Sequence, residues 1–467
     1  MKKSIGAGFV ALALVGCGGG GGSSATPSVP VPAVSLTLSQ PKTSIGSPVT
    51  VAWSSTNATS CTASGAWSGI QSISGSAIQT PTASGVGTYT LTCSGAGGSA
   101  NQSVSLTVPI PVLKSSYENK AAAGESIGAQ TLPSEVAAGN AVAFADFFQD
   151  GTYSMVTHTL EYNSQDPSTA SKFGHIHFWQ KVNGTWVDHT STLLANNTGC
   201  LHPRKAVVAD FNGDGKPDIF FACHGFDASP FSGEQPHVLL SQPDGTYKNV
   251  TIPVTCYCHS ASAADIHGNG YADVLVTDQF VQKTPFFFTN NKDGTFNSDF
   301  SHFPKVINAY QSNGQQGITG SNTGLPEIFT SELIDFSGTG HFDAFLAGNA
   351  PDNSFGNWPP TIFKNDGSGV YSASNATVLP YSQQYQTTLD IVYQGGFVYL
   401  TAVQDTYSSN PYGFSNIVKI NPATMASTQI YANTANFSNG RTWLNWIVPN
   451  NGHITSLDTT YGVSVSQ

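Results

Sequence analysis

The feature that most limits what this chain can fold into is a segment that occurs four times. AVAFADFFQDGTYSMV, AVVADFNGDGKPDIFF, ASAADIHGNGYADVLV and SELIDFSGTGHFDAFL align on Asp146, Asp210, Asp265 and Asp335, with steps of 64, 55 and 70 residues. Each copy reads as an apolar strand, a tight polar turn and a second apolar strand. A second strand pair follows each copy, at HIHFWQKVNGTWVDHT, HVLLSQPDGTYKNVT, PFFFTNNKDGTFNSDF and TIFKNDGSGVYSAS. Four short strands per unit at a period above 50 residues predict the blades of a β-propeller. TLDIVYQGGFVYLTAV and TWLNWIVPNNGHITSLD read as two degenerate units. The count is about six blades over residues 138–467, with seven as the alternative. The last unit is short of strands, so residues 109–137 are expected to act as linker and to supply a closing strand.

Within the second copy, DFNGDGKPD sets oxygen-bearing side chains at alternate positions of a glycine-rich turn. A hard cation such as calcium takes six to eight oxygen ligands, and a loop meets that demand with side chains at positions 1, 3, 5 and 9 and a carbonyl at 7. Asp210, Asn212, Asp214 and Asp218 supply the side chains and Lys216 the carbonyl, while Gly213 and Gly215 allow the tight path. An EF-hand would need a glutamate at position 12, where Phe221 stands, so the helical calcium motif is excluded.

The strand, acidic loop, strand pattern resembles the FG-GAP and VCBS repeats of integrin-alpha-type propellers over residues 140–345. That resemblance implies structural calcium in the loops, most specifically in the second. The third keeps Asp265, Asn269 and Asp273 but has His267 at position 3; the fourth keeps Asp335 and Asp343 with Ser337 and Thr339 between. The first retains Asp146 and Asp150, with Phe148 and Ser154 where ligands belong. Calcium there would clamp strands and do no chemistry.

The N-terminus MKKSIGAGFVALALVGC joins two lysines to a short apolar run, the pattern of an export signal over residues 1–17. Its last four residues resemble the lipobox of bacterial lipoproteins, which implies that Cys17 carries lipid and anchors the chain to a membrane. Gly18 lacks the aspartate that retains some lipoproteins in the inner membrane, so the family rule favours the outer membrane or cell surface. A glycine-rich tether occupies residues 18–33. Residues 34–108 alternate apolar and polar positions in short runs and predict a β-sandwich. WSSTNATSC, Trp67 and GTYTLTC resemble bacterial immunoglobulin-like domains, with Cys61 and Cys93 placed as a bridge between two sheets. With Cys17 committed, the other six cysteines, Cys61, Cys93, Cys200, Cys223, Cys256 and Cys258, are expected to form disulfides in an oxidising compartment.

The chain is therefore read as all-β, an immunoglobulin-like sandwich followed by a propeller. Its 17 basic against 28 acidic residues, with no basic cluster after the signal, argue against nucleic acid as a partner. Residues flanking the repeated strands should emerge together on the face opposite the acidic loops. His202, Arg204, His224, Asp227, His259, Asp278 and Glu332 are the candidates for a ligand face there. A sharper possibility is a transition-metal site of His202, His224 and His259, because imidazole suits zinc, copper or iron. GESIG, residues 124–128, matches the nucleophile-elbow pattern in letters only, with no strand before it. The leading functional reading is a membrane-anchored surface or periplasmic protein that binds an extracellular or envelope protein or glycan. The alternative is a hydrolase or lyase using histidine and aspartate on that face.

Overall fold

The computed structural model describes residues 28–134, 141–282, 284–303, 328–348, 358–382, 384–404, 414–433, 446–459 and 462–467. Cys17, with the segment read as an export signal and most of that read as a tether, lies outside the described residues. Two compact units are present.

The N-terminal unit holds two antiparallel sheets. Ala33–Leu38, Val49–Thr56 and Ser74–Gln79 form one; Gly69–Gln71, Ser60–Gly65, Gly85–Gly95 and Gly98–Val108 form the other. Strict alternation buries Val49, Val51 and Trp53 from the first and Leu91 and Cys93 from the second. The Cys61–Cys93 disulfide forms, but not between the sheets. The two cysteines sit directly opposite each other on neighbouring strands of the four-stranded sheet, so the bridge staples one ladder. Between the sheets, Trp53 and Trp67 meet edge to face at 5.3 Å.

From Val142 onward the described residues form six antiparallel sheets in chain order. The first contains Val142–Ala145, Ser154–His158, Ile176–Val182 and Thr185–Asp188. The second contains Pro203–Ala209, Asp218–Cys223, His237–Ser241 and Tyr247–Thr251, and the third Cys258–Ala264, Asp273–Asp278, Pro285–Asn290 and Phe296–Asp299. The fourth, fifth and sixth begin at Ile328–Ile334, Thr387–Gln394 and Ile447–Asn450. Their inner and second strands are buried on both faces because each sheet is covered on both sides, as in Pro203–Ala209, Asp218–Cys223 and Asp273–Asp278. In the second sheet, Val207, Phe220 and Val238 face the third, while Val208, Ile219, Phe221 and Leu239 face the first. The same relation continues around the series and closes on itself: Val448 of the last sheet and Leu457, just after its second strand, share a core with Phe144, Met155 and Trp179 of the first. The result is a β-propeller.

Helix α1, Ser116–Ile127, was not expected. It occupies the segment read as linker and closing strand. Ser115 and Glu118 form a capping box at its start. The helix runs down the ring axis against the inner strands: Asn119 donates to the Val208 carbonyl at 3.1 Å, Ser116 accepts from the Ala263 amide at 2.9 Å, and Asn450 donates to the Gly124 carbonyl at 2.8 Å. A side chain at Gly124 would lie 2.6 Å from Val448 Cβ, so glycine is required for this approach. Of the predicted closing strand there is one parallel bridge, Gln130 to Asp458. The sixth sheet has three strands. GESIG lies within and just after the helix, which removes the strand-to-helix turn a nucleophile elbow needs.

Four charged groups hold the helix to the ring. Lys120 reaches both oxygens of buried Asp390 at 2.6 Å, and Lys205 reaches Glu332 at 2.7 Å, with Lys120 3.8 Å from Glu332. Removing one member leaves its partner buried and uncompensated. Lys205→Met is expected to cost about 3–5 kcal/mol in urea unfolding, and replacing Lys205 and Glu332 together by apolar residues to cost far less.

Candidate functional site

The strand Pro203–Ala209 has His202 before it and Asp210 after it, so the acidic loop and the histidine cluster sit at opposite ends of the same strands, roughly 20 Å apart. At the acidic end the four copies share one hydrogen-bonding scheme. Asp146, Asp210, Asp265 and Asp335 each accept from the amides four and five residues on, Asp150/Gly151, Asp214/Gly215, Asn269/Gly270 and Thr339/Gly340. Gly213 and Gly215 adopt φ of 77° and 75°, a path that favours glycine. The aspartate at position 9 ties the end of the third strand of its sheet or the turn just beyond it: Asp218 accepts from the Ser241 amide, Asp273 from Asn290 and Asp343 from Asn365. In the first copy Ser154 takes this position and instead links the Ala145 carbonyl to the Phe147 amide.

These loops differ in how well they fit a cation. In the second, Asn212, Asp214 and Ser241 form a polar cluster, with Lys216 Nζ 3.2 Å from Asp214. Burial pushes Asp218 up to about 7, the mark of a carboxylate lacking compensation by positive charge. In the third, the His267 ring lies 2.8 Å from Asp273, in the place a cation would need. In the fourth, Ser337 donates to Asp335 and touches Thr339, a neutral oxygen set.

At the other end the structure gathers five of the seven candidates. The Cys200–Cys223 and Cys256–Cys258 disulfides stiffen the loops that carry them. Glu234, absent from the sequence-based candidates, accepts from the amides of Leu201, His202 and Gly225 at 2.8, 3.0 and 2.9 Å and so joins the loops before and after the first hairpin of the second sheet. The rings of His202 and His224 lie 3.9 Å apart, and those of His224 and His259 5.8 Å apart. Arg204 Nη2 donates to His259 Nε2 at 2.8 Å, and His259 Nδ1 faces the Phe329 carbonyl at 3.2 Å. Tyr162 contacts His202 Nδ1, and Tyr257 donates to Asp227. Both tyrosines were missed, because each stands in an irregular stretch with no repeat to mark it.

The remaining two candidates do other work. Asp278 accepts from the amides of Tyr257, Phe280 and Val281 and shapes the adjoining turn. Glu332 lies within its strand, in the axial ion pairs, and is not on the face. The face itself differs from expectation: His202, Arg204, His224 and His259 are buried, and Asp227 is half-buried at the rim. Burial is the chief reason the three imidazoles are held far below their usual pKa, His224 at about 3, with Arg204 adding to the effect. All three are neutral at pH 7.

His158 supports this cluster from the first sheet. Its Nε2 accepts from the Cys200 amide at 2.7 Å, and burial lowers its pKa to about 3. Because the folded value lies below the unfolded one, its contribution is complete above about pH 6.5 and is lost as pH falls toward 3. Unfolding free energy should drop by up to ~1.4 kcal/mol per pH unit in that window on account of this residue. A His158→Gln variant, weaker at pH 7, should show a slope shallower by about one proton in denaturant titrations between pH 7 and 4.

Residues 170–221 match the family model of the FG-GAP-like repeat. No curated protein matches the sequence. Among solved structures, the chain is similar to a GH43_1 enzyme from Xanthomonas citri, at 11% identity and TM-score 0.32 over 53% of this chain and 79% of that one. It is also similar to the β-propeller domain of the Trilobed protease from Pyrococcus furiosus, at 9% identity and TM-score 0.30 over 90% and 88% of the two chains. A third, PorZ, a surface component of the type-IX secretion system of Porphyromonas gingivalis, aligns at 10% identity and TM-score 0.34 over 90% of this chain and 55% of its own. Likenesses this distant carry no argument about function. The chain is an all-β protein whose β-propeller contains an FG-GAP-like repeat.

Proposed function

We propose that this protein is an envelope receptor, anchored by lipid on Cys17, whose immunoglobulin-like unit serves as a stalk for a six-bladed propeller that binds a protein or glycan. The observation that carries this reading is the helix on the axis. With α1 bonded to the inner strands, recognition falls to the rim loops. One rim is built for it. Phe231 and Phe280, both half-buried, stack at 4.4 Å next to exposed Val281, and both pack edge-on against Tyr257, whose hydroxyl donates to half-buried Asp227. An aromatic cluster joined through a tyrosine to a carboxylate suits a sugar ring or an apolar side chain flanked by a hydroxyl or cation.

Calcium in the Asp210 loop is part of the proposal, held by Asp210, Asn212, Asp214, Asp218 and the Lys216 carbonyl. It would supply the positive charge that Asp218 lacks and brace the first hairpin against the third strand. The loop around Asp335, Ser337, Thr339 and Asp343 is a weaker candidate, and that around Asp265, Asn269 and Asp273 weaker still because His267 occupies it. A hydrolase or lyase is the second reading, favoured by the contacts of Tyr257 with Asp227 and Tyr162 with His202, which place titratable groups within hydrogen-bond reach.

Three measurements test these assignments. Full-length protein in detergent, immobilised and exposed to envelope polysaccharides and surface proteins, should retain a ligand that the Phe231→Ser/Phe280→Ser double variant binds at least tenfold more weakly. Release of new reducing ends or unsaturated sugars, abolished by Asp227→Asn, would replace the receptor reading with the enzymatic one. Calcium at 100 times its Kd should stabilise the chain by about 2.7 kcal/mol. That gain should be larger at pH 8 than at pH 5, where protons compete for Asp218, and absent in Asp218→Asn.

A further inference from the structure

Among the described residues, two groups of three histidine, cysteine or acidic side chains bring ligating atoms within 4.8 Å of one another: Cys200, Cys223 and Glu234, and His202, His224 and Asp227. The first is closed to metal, since its cysteines are joined as a disulfide and its glutamate accepts three amides. The second is open. We propose that His202, His224 and Asp227 form a site for one first-row transition-metal dication, held by both Nε2 atoms and one carboxylate oxygen.

The hydrogen bonds on the far side of each ring carry the argument. A histidine that binds metal through one nitrogen almost always donates the other N–H to a carbonyl, carboxylate or similar acceptor, which fixes its tautomer. His224 Nδ1 faces the Gly225 carbonyl at 3.0 Å, which places its proton there and leaves the lone pair on Nε2. His202 Nδ1 is taken by the Tyr162 hydroxyl, while its Nε2 is buried with no hydrogen-bond partner. Whichever tautomer His202 adopts, that nitrogen is without a partner in the protein alone, and a bound ion is one way to satisfy it. A metal on Nε2 resolves it, with Nδ1–H donating to the Tyr162 oxygen.

The rest of the site fits the same ion. Tyr257 donates to one oxygen of Asp227 and leaves the other available. Two imidazoles with one carboxylate suit zinc, iron or copper and not calcium, which requires an oxygen cage. Metal–ligand bonds of about 2.0–2.2 Å place ligand atoms roughly 3–4 Å apart, so small rotations complete the set. Asp227 offsets the positive charge that Arg204 brings to the neighbourhood. His259, paired with Arg204, is not a ligand, so the trio differs from the three-histidine site that the sequence raised as a possibility. Half-buried Asp227 leaves one side of the ion toward solvent, where water or an exogenous ligand can bind. The site stands on ring geometry and does not depend on the receptor reading.

The test uses Co2+ as the probe. Full-length protein in detergent, stripped with chelator, should bind one equivalent with ligand-field absorption of a nitrogen and oxygen site, displaced by Zn2+ or Cu2+ and not by excess Ca2+. His202→Ala and His224→Ala should each weaken binding at least 100-fold. Tyr162→Phe, which removes no metal ligand but deletes the hydroxyl that orients His202, should weaken it 10–100-fold, and Asp210→Asn should leave it unchanged. Absence of stoichiometric Co2+ binding, or its displacement by Ca2+, overturns the proposal. Should the alanine variants fail to fold by near-UV circular dichroism, unchanged Co2+ affinity in folded Tyr162→Phe and Asp227→Asn variants overturns it equally.

Discussion

A ring of sheets leaves an axis lined by inner strands, and that axis must be filled by something able to satisfy them. Here the filler is helix α1, and the contact that secures it is Lys120 on both oxygens of Asp390, beside the Lys205–Glu332 pair. The charges are buried, so each depends on its opposite. Asp390 also accepts from the Ile447 amide, and Glu332 from Ser262, so the same groups join the third, fourth, fifth and sixth sheets around the helix. Without that filling the inner strands would surround a void, and the apolar cores between sheets would lose their common inner boundary.

Because the inner strands are fixed, their two ends can be specialised independently. One end carries acidic loops whose aspartates organise backbone amides, with or without an ion. The other carries a polar cluster made possible by two disulfides and the Glu234 carboxylate, which position loops from different strands within a few ångströms. Neutral, buried imidazoles are costly to assemble and are retained where surrounding groups orient them, as the Gly225 carbonyl and Tyr162 do here.

Much of this was legible in the residues. Asp210, Asp265 and Asp335 recur in register, and their shared amide contacts follow from that register. Strands such as DIFFAC and DVLVTD read as fully buried and are so. His202, His224, Asp227 and His259 were nominated because strand direction puts the residues before a first strand and after a second at one end of a sheet. The disulfide Cys61–Cys93 shows where such reasoning stops: two cysteines in alternating strands are consistent with a bridge between sheets or within one, and only register decided for the latter. Tyr162, Glu234 and Tyr257 were invisible because their roles come from loops folded back across long intervals, which leave no local pattern.

Local periodicity and the repeat thus determined, from sequence alone, the all-β class, the hairpin units and the ends of the strands where polar side chains gather. These depend on neighbours within a few residues, and such neighbours are written in order along the chain. Tertiary structure alone decided that the segment after the N-terminal unit becomes an axial helix, that Glu332 belongs to an ion pair on the axis, and that the histidines are buried with one nitrogen unmatched. Each of those outcomes depends on groups more than a hundred positions apart or on different sheets, and the free energy of burial that fixes them exists only once the ring has closed.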